Sequence, residues 1–167
     1  MTKVDDIITQ IEVREGGAKV TNDPADPGWR TQWGISERSN PEAWKDGVVT
    51  EAEARAIYER KYVHGPGFSK VVDVALMAQL VDYGVNSGPA IAIQKVQEIL
   101  HLDVDGILGP LSLKAINEAD ARSLNNKLVA ARVRMIARIV QKRPEQLKYL
   151  YGLVDRALDF MVQTDRI

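Results

Sequence analysis

Residues 15–36 read EGGAKVTNDPADPGWRTQWGIS, and the fold turns on how this stretch begins and ends. Just upstream, Val4, Ile8, Ile11 and Glu15 are spaced four, three and four, which lines one face of an amphipathic helix. Gly16 and Gly17 stop that helix, because glycine readily takes the left-handed conformation that ends one. From Asn22 onward the stretch is dense in Asn, Asp, Pro and Gly, the residues of turns. Short irregular strands fit within it, but no long alternating pattern does. So long a loop is unusual in a compact domain unless it is packed or functional.

Beyond the loop the chain reads as helices. Thr50 with Glu53 forms a capping box before a helix carrying Ala54, Ile57, Tyr58 and Tyr62. HGPGFSK is a break. Val72 to Val85 is strongly apolar and predicts a buried helix, with Leu76, Leu80 and Tyr83 on one face. NSGP interrupts it, and Pro89 suits the first turn of the next helix, which carries Ile93, Val96, Gln97 and Leu100. DVDGILGP is a turn. A short helix through Leu113 and Ile116, a long one over roughly 123–142 and a last one from Pro144 to about Val162 complete the chain. The expected class is all-α, with one elaborate loop near the N-terminus. We expect an N-terminal lobe over 1–70 and a helical lobe over 71–167, packed as one globular unit.

Composition narrows the function. The chain has 167 residues, 45% of them hydrophobic and 27% charged, which is ordinary for a soluble globular protein. A formal net charge of -1 gives no reason to expect nucleic-acid binding. Arg132, Arg134, Arg138, Lys142 and Arg143 form a modest basic cluster at helical spacing, which fits a solvated helix face better than a polyanion grip. With no cysteine, disulfides and thiolate metal sites are excluded. His64 and His101 are far apart, with no HExxH-type spacing, so no metal and no cofactor is expected. No stretch has the length of a membrane span or the apolar core of a signal peptide, so no membrane anchor is expected.

Glu15 is the residue that suggests chemistry. A carboxyl on the inward face of a helix is paired or protonated, because burying it charged is costly. A protonated carboxyl at neutral pH is what general acid catalysis requires. The two glycines after it leave room for a ligand. A salt bridge to Arg14 or Arg30, or exposure at a frayed helix end, would equally account for its position. A glycosidase acid normally has a second polar group nearby. Asp23, Asp26, Asn22 and Thr31 lie in the loop downstream, although each also suits ordinary turn chemistry. All three tryptophans, Trp29, Trp33 and Trp44, fall in the first 44 residues. Each can stack on a sugar or fill the core, and Trp29 in the polar loop is the best placed for a sugar.

The run from Glu15 to Ser36 resembles the glycoside hydrolase family 108 muramidases, phage-type endolysins and related secretion-associated enzymes. Their pattern is a helix-ending Glu-Gly-Gly, an Asn-Asp-Pro-x-Asp-Pro-Gly loop, then Thr-x-aromatic-Gly-Ile. It meets Glu15, then Asn22, Asp23, Pro24, Asp26, Pro27 and Gly28, then Thr31, Trp33, Gly34 and Ile35. TEAEARAIYERKYV resembles the next helical segment of the family. The stretch from Leu80 to Ile116 resembles its predicted peptidoglycan-binding region, with Val81 to Gly88 and Asp105 to Pro110 as the matching motifs. The chain departs from the pattern at Trp29 and Arg30, where the family often has a second glycine and a small residue, and at Ser112, where a threonine is usual.

The resemblance implies a lysozyme-like fold and cleavage of the β-1,4 bond between N-acetylmuramic acid and N-acetylglucosamine in bacterial peptidoglycan. It implies Glu15 as the catalytic acid, with Asp26 and Thr31 as its partners. Asn22, Asp23, Trp29, Trp33, Tyr58 and Asn86 are then candidates for substrate contact. A monomer is expected, held in the bacterial cytoplasm until a holin or secretion system gives it access to the periplasm and wall. The alternatives are a wall-binding or assembly protein without catalysis, and a related glycosidase acting on chitin-type polymers.

Overall fold

The computed structural model describes residues 3–22 and 29–162. Internal contacts divide the chain into two compact units, Met1–Gly65 and Pro66–Ile167. The architecture is mainly α, a lysozyme-like arrangement of helices with one small sheet.

In the first unit α1 spans Lys3–Arg14 and buries Ile7, Ile8 and Ile11. Three short strands follow: β1 at Thr21–Asn22, β2 at Arg30–Gln32 and β3 at Ile35–Ser36. They form an antiparallel sheet in that order, with Thr21 opposite Thr31 and Gln32 opposite Ile35. Only Trp33 and Gly34 separate β2 from β3, and both have positive φ, 54° and 73°. A two-residue loop with positive φ at both positions is a type I′ hairpin, whose twist matches that of the strands it joins.

Helix α2, Glu51–Tyr58, opens on the expected capping box. The Glu53 backbone N–H donates to Thr50 Oγ1 at 3.3 Å, and the Thr50 N–H donates to Glu53 Oε2 at 2.8 Å. The helix does not stop at Tyr58. It widens into a π-helical stretch, Glu59–His64, closed by the Gly65 N–H donating to the Arg60 carbonyl five residues back, at 2.9 Å. Ile35, Trp44, Val49, Ala54, Ile57, Tyr58 and Val63 join the α1 isoleucines in the core of this unit.

The second unit is helical throughout: α3 Val74–Ser87, α4 Pro89–Ile99, α5 Pro110–Glu118, α6 Ala121–Lys142 and α7 Leu150–Leu158. The closing segment expected as one helix from Pro144 is in fact a 3₁₀ stretch, Pro144–Tyr149, leading into α7. Leu76, Leu80, Val81, Val96, Leu128 and Val129 are among its buried residues. Among the polar groups buried with them, two sets form tight networks. Asp82 on α3 is clamped between Arg132 of α6, 2.7 Å away, and Arg156 of α7, 2.9 Å away. Gln97 on α4 donates to Asp105, the Ile107 carbonyl and Ser112, and accepts from the Gly106 N–H at 2.9 Å. One amide thereby ties the DGILGP turn to α4, and Ser112 supplies the hydroxyl that the more usual threonine would. Among the described residues no helix is long and apolar enough to cross a membrane.

Candidate active site

The buried carboxylate of α1 is not Glu15 but Glu12, one turn earlier. Glu12 is only 4% exposed, whereas Glu15 is half-buried just past the helix end. Arg55 of α2 donates to Glu12 Oε2 at 2.7 Å, to Thr9 Oγ1 at 3.1 Å and to the Asp5 carbonyl at 3.1 Å. Burial holds the Glu12 carboxyl above its ordinary range, against the opposing charge of Arg55. One guanidinium thus fastens α1 to α2 along the helix that leads to Glu15.

Glu15 itself is placed by backbone. Its N–H donates to the Ile11 carbonyl at 2.9 Å, the last turn of α1. Gly16 and Gly17 then take φ of 92° and 60°, turning the chain out of the helix. The Gly17 N–H returns to the Glu12 carbonyl at 3.0 Å, so the turn after Glu15 is closed on both sides.

The β2–β3 hairpin delivers its tip to this spot. The Trp33 N–H donates to the Gly17 carbonyl at 2.9 Å, and the Tyr58 hydroxyl donates to the Trp33 carbonyl at 2.8 Å. Between these two anchors Gly34 lies flat against the Glu15 side chain. A Cβ at Gly34 would fall 2.7 Å from Glu15 Cβ and 3.1 Å from its Cγ, and would also strike the Tyr58 hydroxyl. Glycine is required here twice over, by its φ and by the closeness of the carboxyl stem.

Tyr62 completes the cluster. Its ring centroid lies 5.8 Å from that of Tyr58 at a tilted angle. Burial raises the Tyr62 hydroxyl pKa, and the negative charge of Glu15 raises it further. Tyr62 was legible in the sequence as a helical neighbour of Tyr58 at i+4, but not as a neighbour of Glu15. Nothing in the local pattern announces the π-helical stretch that carries it, a feature frequent at functional sites.

Of the residues singled out from the sequence, Glu15, Trp33 and Tyr58 come together. Tyr58 is only 2% exposed and stands behind the hairpin tip as its support. The Trp33 ring lies beside Gly17. Asn22 is exposed at the end of β1, opposite Arg30. Thr31 is in the middle of β2. Strand alternation sends it to the face opposite Arg30 and Gln32. Asp23 and Asp26 lie outside the described residues. Asn86 is exposed near the end of α3 in the second unit, where its Oδ1 accepts from Ser87 Oγ at 3.5 Å.

The two loop departures have distinct fates. Arg30 forms a fork on Glu37, at 2.9 and 2.8 Å, and lies 4.8 Å over the Trp44 ring. Hydrogen bonding from Arg30 holds the Glu37 carboxyl below its ordinary range. Trp44 is buried and its indole N–H donates to the Ile35 carbonyl, so it is a core residue. Trp29 is 61% exposed and has φ of 64°. A bulky residue in that conformation carries strain that glycine would not.

Two family models and a solved structure match the chain. Residues 8–88 match the family model described as Glycosyl hydrolase 108, and residues 91–158 match the one described as Predicted Peptidoglycan domain. The structure of Brucella abortus SagA matches with a TM-score of 0.68 at 24% identity, covering 96% of this chain and 97% of that one, so the two share a fold. No curated protein is similar enough to register as a relative. The two family matches lie end to end over nearly the whole chain, and the first contains Glu15, the hairpin and both tyrosines: the chain belongs to the glycosyl hydrolase 108 family, glycoside hydrolases acting on peptidoglycan.

Proposed function

We propose that the protein is an N-acetylmuramidase, cleaving the β-1,4 bond between N-acetylmuramic acid and N-acetylglucosamine with Glu15 as general acid. The observation that carries this is the fixing of Glu15 between the α1 terminus and the Gly34 backbone. A half-buried carboxyl whose stem cannot wander is suited to protonating one bond in a bound chain. Gly16 and Gly17 place no side chains beside it.

In the reaction Glu15 gives its proton to the glycosidic oxygen as the C1–O bond breaks, and the departing sugar leaves with a free 4-hydroxyl. Water supplies the new hydroxyl at C1 and gives up a proton to the second polar group. We assign that group to Asp26, with Thr31 orienting the water. Trp29 offers an exposed aromatic face for a sugar ring. Trp33 at the hairpin tip and Asn22 on the adjoining β1 are the further candidates for holding the glycan.

The test is the Glu15→Gln variant on purified peptidoglycan, which keeps the shape of the side chain and removes the proton. Release of reducing ends should fall by about 100-fold or more. Mass spectrometry of the wild-type products should show muramic acid at the reducing end. An anhydro-muramic end would indicate a lytic transglycosylase, a reducing glucosamine a glucosaminidase, and equal rates for the two proteins would remove Glu15 from the mechanism.

A further inference from the structure

The second unit carries an open groove between α4 and α6, of about 260 Å³, lined by Lys95, Glu98, Ile99, Ala131, Arg134, Met135 and Arg138. Its two walls follow helical spacing. Residues 95, 98 and 99 form a stripe on α4, and residues 131, 134, 135 and 138 form one on α6. Ile99, Ala131 and Met135 are half-buried and make an apolar floor. Met135 is held from behind by the Tyr83 hydroxyl, which donates to its sulfur at 3.3 Å.

The charge on the rim is one-sided. Lys95 is neutralised by Glu98, with its ammonium 2.7 Å from the carboxylate. Arg134 and Arg138 are exposed, and neither forms an ion pair among the described residues. Two like charges at i and i+4 on a helix destabilise it. Their presence over an apolar floor is not explained by the stability of α6.

We propose that this groove binds the peptide stems of peptidoglycan, with Arg134 and Arg138 taking stem carboxylates and the apolar floor taking aliphatic side chains. Three observations favour this occupant. The groove holds a net positive charge where a stem peptide is negative. Its floor suits the short apolar side chains that separate a stem's carboxylates. All seven lining residues lie within residues 91–158, the stretch that matches the peptidoglycan domain. Planar guanidinium groups suit carboxylates because they can bind them through two parallel hydrogen bonds. The inference rests on peptidoglycan being the substrate and is independent of which bond Glu15 cleaves.

The experiment measures calorimetric binding of three soluble probes: the disaccharide bearing a tetrapeptide stem, the same compound with its carboxylates amidated, and the disaccharide alone. Poly(glycerol phosphate) is a fourth probe, distinguishing carboxylate from wall-polymer phosphate. The wild type should bind the carboxylate stem about fivefold to tenfold more tightly than the amidated one, a preference that salt should weaken. Arg134→Gln with Arg138→Gln should abolish that preference, while Lys142→Gln, further along α6, should keep it. Both proteins should release reducing ends from stem-free glycan at the wild-type rate. Wild-type binding by the double variant, equal binding of the amidated probe, or tighter binding of poly(glycerol phosphate) would each overturn the proposal. Failure of Glu15→Gln to lose cleavage would overturn the acid assignment and leave these binding arms unchanged.

Discussion

Replacing Gly34 by alanine places one methyl group where the structure has no room for it. Two costs follow. Alanine at a φ of 73° loses about 1–2 kcal/mol to left-handed strain. Contact with Glu15 Cβ at 2.7 Å and Cγ at 3.1 Å, and with the Tyr58 hydroxyl, adds an overpacking cost of about 1–3 kcal/mol. The total is about 2–5 kcal/mol, unless the hairpin tip lifts. Lifting it stretches the Trp33–Gly17 and Tyr58–Trp33 hydrogen bonds and moves the Glu15 carboxyl. A displacement of about 1 Å at a catalytic group can cost about 100-fold in rate.

Gly47→Ala separates the two costs. Gly47 has φ of 81° and nothing within 4 Å of where an added methyl would sit, so that variant carries the strain without the clash. All three tryptophans lie in the first unit, so denaturant unfolding followed by tryptophan fluorescence reports on that unit. The expected outcome is a loss of about 1–2 kcal/mol for Gly47→Ala with activity retained. Gly34→Ala should lose more stability and about 10- to 100-fold in reducing-end release. If the two variants unfold alike and both stay active, the close approach of Gly34 to Glu15 does not position the acid.

Two further variants test the supports of the site. Arg55→Met leaves the buried Glu12 without its partner and should cost about 3–5 kcal/mol when the carboxylate is charged. Because the folded pKa of Glu12 lies above the ordinary 4.5, this group favours folding most below that value and loses its contribution as pH rises through the raised one. The gap between wild type and Arg55→Met should therefore be small near pH ~4 and widen toward pH ~8. A pH-independent gap in fluorescence-monitored unfolding would contradict the assignment. Trp29→Gly should relieve left-handed strain, raising stability by about 1 kcal/mol, and weaken glycan binding severalfold. Unchanged affinity in a glycan titration would make Trp29 a bystander.

The sequence made the helices legible because their signals are local. Apolar spacing, the Thr50–Glu53 box and Pro89 in a first turn each need only a few neighbouring residues to read. The hairpin was harder, since β2 has three residues and β3 two, too short for alternation to register. The Trp33–Gly34 pair is the remaining signal, and its type I′ turn depends on a tryptophan at positive φ, where pattern reading expects Asn or Asp. Face spacing led to Glu15 through Val4, Ile8 and Ile11, yet that face buries Glu12 instead. Helical period places both residues near the same stripe, one turn apart, and only the partner across it, Arg55, decides which is enclosed.

That division explains why a glycosidase would keep two glutamates so close. Glu12 is enclosed and bonded to Arg55, so its energy goes into holding α1 against α2. Its enclosure makes it unsuited to meeting a polymer. Glu15 lies three residues on, where two glycines turn the backbone outward, and so emerges beside the surface while its stem stays pinned by Gly34. The Glu-Gly-Gly and Trp-Gly pairs then act as one device. The first frees the carboxyl from the helix, and the second supplies a side-chain-free surface that fixes where it can go. Either pair without the other would leave Glu15 buried or loose. With Glu15 as the proposed acid, the chemistry would depend on the hairpin as much as on the glutamate it faces.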